Sequence, residues 1–239
     1  MTQATELGTE GRTPSGLTNN QLKIIAMLAM LIDHVGMQLF PGVMILRYIG
    51  RIAFPIFAYM IAEGCHYTRD RKKYLLSILS LGIVCQAVYS FVLGSLYMNI
   101  LLTLSASILI IYSADLLIEK KTPLAACPLV LCVLVTVIAC TVLPELLSDT
   151  DFAVDYGLCG ILLPVLVYYA PNKPLKLFAA SIALLGLVLT RGAWQWYAFL
   201  ALPLLALYNG TRGKAKMKYV FYVFYPLHLV AVWAIDMLL

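Results

Sequence analysis

The chain of 239 residues is 62% hydrophobic and 12% charged, with a formal net charge of +5 and a mean hydropathy of +0.89. Soluble globular domains carry about 25% charged residues, so this balance excludes a soluble enzyme and predicts an integral membrane protein of one domain. The lysines and arginines fall between apolar runs, where they orient helices in a lipid bilayer, and no nucleic-acid partner is expected.

Residues 1–20, MTQATELGTEGRTPSGLTNN, are polar and poor in large apolar side chains. They predict a flexible cytoplasmic tail rather than a cleaved signal peptide. From 21 to 239 the expected fold is all-α, a polytopic transmembrane helical bundle. Apolar runs long enough for about 30 Å of hydrocarbon at about 1.5 Å per residue number about nine. They centre near Ala29, Phe54, Val84, Ser107, Val133, Leu163, Leu184, Leu202 and Tyr225.

The basic loops TRDRKK (68–73), EKK (119–121), NKPLK (172–176) and RGKAKMK (212–218) alternate with GSLY (94–97) and the acidic ELLSDTDFAVD (145–155). Placing every basic loop inside gives a cytoplasmic N-terminus, an outer C-terminus and an odd number of helices. No internal repeat, heptad pattern or glycine-rich nucleotide loop appears, and the missing repeat counts against a secondary transporter. The six cysteines lie in or beside apolar runs without metal-ligand spacing, so they read as small buried thiols, and no metal is expected.

The first run contains LIDHVG (31–36), a carboxylate beside an imidazole. Ionisable groups at membrane depth are functional candidates. Lys23 and His34 are eleven residues apart, so on one helix they share a face and are separated by about 16 Å. In the last run His228 follows Lys218 by ten residues, so both histidines reach a similar depth. Asp33 points about 100° away from His34 and needs another partner, for which Arg47 and Arg51, four apart in LRYIGRIAFP, are placed. Glu63 faces Arg69 near the inner boundary. Pro55 and Pro226 each remove a backbone donor, which is tolerated where helices enclose a polar cavity, and FYPLHL sets Tyr225 one turn from His228. The two densest basic patches, with Arg69, Arg71 and Lys72 in one and Arg212 and Lys214 in the other, match phosphate oxygens as well as lipid headgroups.

The blocks LKIIAMLAMLIDHVG, RIAFPIFAYMIAEG, TRDRKKYL, VDYGLCGILLPVLVYY, WYAFLALPLLALYNGTRG and KYVFYVFYPLHL resemble, in order, those of the TraX family of membrane proteins, whose namesake acetylates the N-terminus of F-type conjugative pilin. The chain is also similar to the wider transmembrane acyltransferases, among them acyltransferase family 3, where a basic residue precedes a catalytic histidine by ten intervening residues; Lys23 and His34 match that spacing. Family 3 carries R-x-x-R, whereas Arg47 and Arg51 are spaced R-x-x-x-R.

The resemblance implies a membrane-embedded acetyltransferase of the bacterial inner membrane. It would move acetyl from cytosolic acetyl-CoA to a peptide amine or sugar hydroxyl at the outer face. His34, Asp33, His228 and Tyr225 are the catalytic candidates. Lys23, Arg69, Arg71, Lys72, Arg212 and Lys214 are donor-binding candidates, and Arg47, Arg51, Glu63 and Asp155 form a polar cavity or structural pairs. The competing reading is a proton-coupled transporter or flippase using His34, His228, Asp33 and Glu63 as a relay.

Overall fold

The computed structural model describes residues 15–92, 94–213 and 217–239. Most of the expected tail, and Lys214, lie outside the described residues. The first helix, α1 (Asn19–Gln38), starts inside the stretch expected as tail. Thr18 accepts from the Gln21 amide while Gln21 Oε1 accepts from the Thr18 amide, a capping box that satisfies two backbone donors.

A short α2 (Met44–Gly50) and α3 (Ala53–Tyr67) form one span from Met44 to Tyr67. The break falls at Arg51–Ile52 because Pro55, lacking an N–H, cannot bond the Arg51 carbonyl four residues back. α4 (Arg71–Val92) and α5 (Ile100–Lys120) follow as long apolar helices. α6 (Pro123–Val137) continues through a π turn at Ile138–Val142 into α7 (Leu143–Leu146). α8 (Gly157–Tyr169) and α9 (Lys173–Arg191) precede a 3₁₀ segment, Ala193–Leu200, that runs into α10 (Ala201–Ala206), and α11 (Lys218–Asp236) closes the chain.

All nine expected centres lie in helices, and the bundle is all-α. Among the described residues, five spans are long and apolar enough to cross a membrane: Met44–Tyr67, Arg71–Phe91, Ile100–Lys120, Pro123–Leu146 and Lys173–Arg191. The other four segments depart from a uniform nine-helix crossing. α8, the 3₁₀–α10 unit and the described part of α11 are shorter apolar helices, and α1 interrupts its apolar face with Lys23, Asp33 and His34. The Pro123–Leu146 span has the highest mean hydropathy, 2.7, and most of its side chains lie on the outside of the bundle, while Leu129, Cys132, Ala139 and Cys140 pack against the cluster of Ile110, Val154 and Ile161.

Local contacts tie several of the loops together at two levels of the bundle. At one end Arg71 pairs with Asp115 at 2.8 Å, and Lys176 pairs with Glu63 at 2.5 Å. Leu17 donates its amide to the Leu207 carbonyl at 2.8 Å and accepts from the Asn209 amide at 2.9 Å, tying the N-terminal segment to the 207–212 segment. At the other end, Met98 pairs with Val154 in an isolated bridge. Between them the buried core runs through Leu22 and Ala26 of α1, Ile56 and Tyr59 of α3, Ile108 of α5, Leu163 of α8 and Leu184 of α9.

Candidate active site

Close packing of α1 against α2 builds the first half of the site. A Cβ on Gly50 would lie 2.2 Å from Asp33 Cβ, and one on Gly36 would lie 2.5 Å from Leu46 Cβ, so only glycine lets these helices approach. At that contact Arg51 Nη2 donates to Asp33 Oδ2, and Arg47 Nη1 stands 3.3 Å from the same oxygen. Arg51 also donates to the Tyr156 hydroxyl at 3.3 Å and lies 4.5 Å from the Trp194 ring centre. Tyr156 in turn stacks on Phe54 at 3.8 Å. A charge this deep in the bundle is held by hydrogen bonds, an ion pair and an aromatic face together.

α1 and α11 bring the two histidines into contact. His34 Nδ1 is 2.9 Å from the Met30 carbonyl, and His228 Nδ1 is 2.9 Å from the Phe224 carbonyl. A carbonyl only accepts, so each Nδ1 carries a proton. His228 Nε2 then lies 3.3 Å from His34 Nδ1, and it must be the unprotonated acceptor, because two N–H groups cannot face each other at that distance. His34 Nδ1–H is thus shared between Met30 and His228, and the lone pair of a neutral His34 sits on Nε2.

Among the described residues, three cavities have linings that join in series. A polar chamber of about 600 Å³ is lined by Asp33, His34, Arg47, Arg51, Asp155 and Tyr225. A vestibule of about 700 Å³ at the basic end is lined by Lys23, Glu63, Tyr67, Arg69 and Arg212. An apolar neck of about 120 Å³ lies between. Lys23, Met60, Tyr74 and Phe221 line both vestibule and neck, and Met30, Phe57, Ile100 and Tyr225 line both neck and chamber. Lys23 is held 5.2 Å from the Phe221 ring at the first junction.

The chamber wall facing away from the vestibule includes the 94–99 and 147–156 loops. Tyr97 donates its hydroxyl to Asp155 Oδ1 at 2.8 Å. Asp151 accepts from Ser95 Oγ at 2.5 Å and from the Leu96 amide at 2.8 Å, bonds that hold its carboxyl below the usual range. Burial pushes Asp155 the other way, up to about 6, against the opposing pull of Tyr97, Arg51 and Arg191. A carboxyl raised on folding stabilises the fold below its unfolded value, and that contribution is lost as pH rises through about 6. Asp155→Asn should therefore raise the thermal midpoint more at pH 8 than at pH 5, measured in detergent. An equal shift at both values would show that Asp155 does not titrate in this way.

The TraX protein family model matches residues 18–236. The chain belongs to the TraX family. This TraX-family chain is 26% identical over 244 aligned residues, covering 92% of it and 96% of the relative, to the probable fimbrial assembly protein FimC, serogroup H1, of Dichelobacter nodosus. A second relative, the uncharacterized protein RP591 of Rickettsia prowazekii (strain Madrid E), is 37% identical over 78 residues, covering 32% of this chain and 29% of the relative. No solved structure matches.

In this TraX-family chain the residues expected to act together fall into two groups. His34, Asp33, Arg47, Arg51, Asp155 and Tyr225 line the chamber, with His228 against His34. Lys23, Arg69 and Arg212 line the vestibule. Arg71 is turned instead toward Asp115, whose other bonds come from the Tyr168 and Tyr169 hydroxyls, and Lys72 lines none of the three cavities. Glu63 pairs with Lys176, not Arg69, because α9 crosses α3 at that level. The third histidine, His66, stacks on Tyr168 at 4.0 Å and is away from the chamber.

The chamber also contains Tyr97, Tyr156, Arg191, Trp194 and Gln195, which sequence reasoning passed over. For Arg191, Trp194 and Gln195 the signal is visible afterwards in TRGAWQW (190–196), where a cation, a glycine and two tryptophans end an apolar run. Among the described residues no group of three or more His, Cys, Asp or Glu side chains could hold a metal ion.

Proposed function

We propose that this chain is an acetyl-CoA-dependent acetyltransferase of the bacterial inner membrane, acting on an amine or hydroxyl acceptor at or beyond the outer face. The observation that carries this reading is the continuity of linings from a cationic vestibule, through an apolar neck, to a polar chamber holding an imidazole with a free Nε2. The donor has the same sequence of chemistries: phosphates, then a long uncharged arm, then a thioester. Membership of TraX, and a relative named for fimbrial assembly, support an acceptor among surface-fibre proteins.

In the proposed step the acceptor's nucleophilic atom attacks the thioester carbonyl while His34 Nε2 takes its proton. The carbon–sulfur bond then breaks, and the same proton passes from Nε2 to the leaving thiolate, giving free CoA thiol and the acetylated acceptor. His228, accepting from Nδ1–H, holds the ring in that tautomer and shares the charge of the transient imidazolium. An acetyl-His34 intermediate is the alternative course with the same atoms. The basic end is cytoplasmic in this reading, where acetyl-CoA is made. A relay through His34, His228, Asp33 and Glu63 receives less support, since Glu63 lines the vestibule and is paired with Lys176.

Vestibule charge gives the test of donor binding. Replacing Arg69 and Arg212 with glutamine together should weaken acetyl-CoA binding, and most strongly at low ionic strength, where exposed charges are least screened. Arg71→Gln should leave binding nearly unchanged and instead lower stability through Asp115. Unchanged acetyl-CoA affinity of the double variant in low salt would return these arginines to a purely topological role.

A further inference from the structure

The vestibule is strongly biased in charge. Lys23, Arg69 and Arg212 line it and form no ion pair among the described residues, while Glu63, the only acid in its described lining, is already paired with Lys176. Its cations are left for an anionic ligand. Beside them stands Tyr67, the last residue of α3, from which the chain leaves through an extended Thr68 to Arg69. Tyr67 is 73% exposed and lines the same cavity, and among the described residues it makes no hydrogen bond and no ring stack. Its ring face is open. Other rings of this wall are engaged: Tyr208 meets Tyr59 edge-on, Phe221 faces the Lys23 ammonium, and the Tyr74 hydroxyl packs against Gly64.

We propose that Tyr67 is the stacking platform for the base of a purine nucleotide whose phosphates are held by Arg69 and Arg212. Arginine forks suit phosphate oxygens, and an aromatic side chain stacks a base through the π-face that every base has. A lipid headgroup also suits arginines and an interfacial tyrosine, but it brings phosphate without a flat base to cover the open ring. In the transfer reading above, on which this rests, the nucleotide is the adenosine end of acetyl-CoA. Tyr67 then separates two kinds of acetyl donor. A free nucleotide thioester is seated by base and phosphates together, whereas acetyl on a protein-borne phosphopantetheine has no base to stack.

Titration calorimetry of detergent-solubilised full-length protein with adenosine 3′,5′-bisphosphate, and separately with inorganic pyrophosphate, tests the assignment without any acetyl transfer. Tyr67→Leu should weaken bisphosphate binding roughly tenfold or more and leave pyrophosphate within about twofold of wild type. Tyr67→Phe, which keeps the ring, should restore the bisphosphate affinity. The Arg69/Arg212 double replacement should weaken both ligands. A tyrosine that only anchors α3 at a lipid interface would leave bisphosphate binding unchanged in Tyr67→Leu. That result, an equal loss for both ligands, no rescue by Tyr67→Phe, or a wild type that does not bind the bisphosphate would overturn the proposal. The transfer reading is judged separately by release of CoA thiol. Bisphosphate binding that depends on Tyr67 keeps the nucleotide site even if the wild type releases no thiol, in which case the transfer reading fails. Thiol release with an unchanged KM for acetyl-CoA in Tyr67→Leu keeps the transfer and removes the platform.

Discussion

Replacing His34 with glutamine should lower acetyl transfer roughly 10²-fold to 10⁴-fold. Fold and acetyl-CoA binding should survive. Glutamine keeps polarity and can still bond the Met30 carbonyl, but it has no lone pair that takes and returns a proton. His228 cannot stand in, because its Nε2 faces His34 Nδ1 at 3.3 Å and its Nδ1 is committed to Phe224. His228→Phe should also slow transfer, whereas His228→Gln, which keeps an acceptor toward His34, should retain more activity. Labelled acetyl-CoA given alone separates the two chemical courses. Label on the protein that disappears in His34→Gln marks an acetyl carrier, and absence of label together with loss of transfer marks a general base. Near-normal transfer by a folded His34→Gln protein would sink both.

Breaking the Asp33–Arg51 pair should cost about 3–5 kcal/mol for either Asp33→Asn or Arg51→Gln, because each leaves a buried charge without its partner. Removing both should cost less than the sum of the singles. Arg47, 3.3 Å from the same oxygen, should soften Arg51→Gln more than Asp33→Asn, since the carboxylate then keeps one cation while Asp33→Asn strands two. Denaturation in mild detergent reads the three values. Strict additivity would mean that the two groups are stabilised independently, and Asp33 would then need another explanation.

Much of the site was legible because helical periodicity is a local property. The spacing of Lys23 and His34 on one face, and the match in depth between His34 and His228, needed only rise and rotation per residue. The high cost of an unpaired intramembrane carboxylate directed Asp33 to Arg51, and the bundle makes that pair. Tertiary neighbours were less accessible. Lys176 lies 113 residues from Glu63 along the chain, and nothing in MIAEGCHY indicates that α9 crosses there. Arg71 sits in a dense basic loop, yet a single acid on α5, itself held by two tyrosine hydroxyls from α8, claims it. The 3₁₀ segment carrying Trp194 and Gln195 runs from Ala193 to Leu200, longer than the three or four residues usual for that geometry. Packing of its tryptophan over Arg51, rather than local propensity, accounts for that conformation.

The most direct test is the release of free CoA thiol from acetyl-CoA by the purified full-length protein, followed with a thiol reagent in the presence of glycinamide. The account predicts thiol release in step with acetylated glycinamide, abolished to within background in His34→Gln and slowed by the Arg69/Arg212 double replacement at low salt. Wild-type protein that binds acetyl-CoA but releases no thiol with any amine or hydroxyl acceptor, or that releases it equally well without His34, would contradict it.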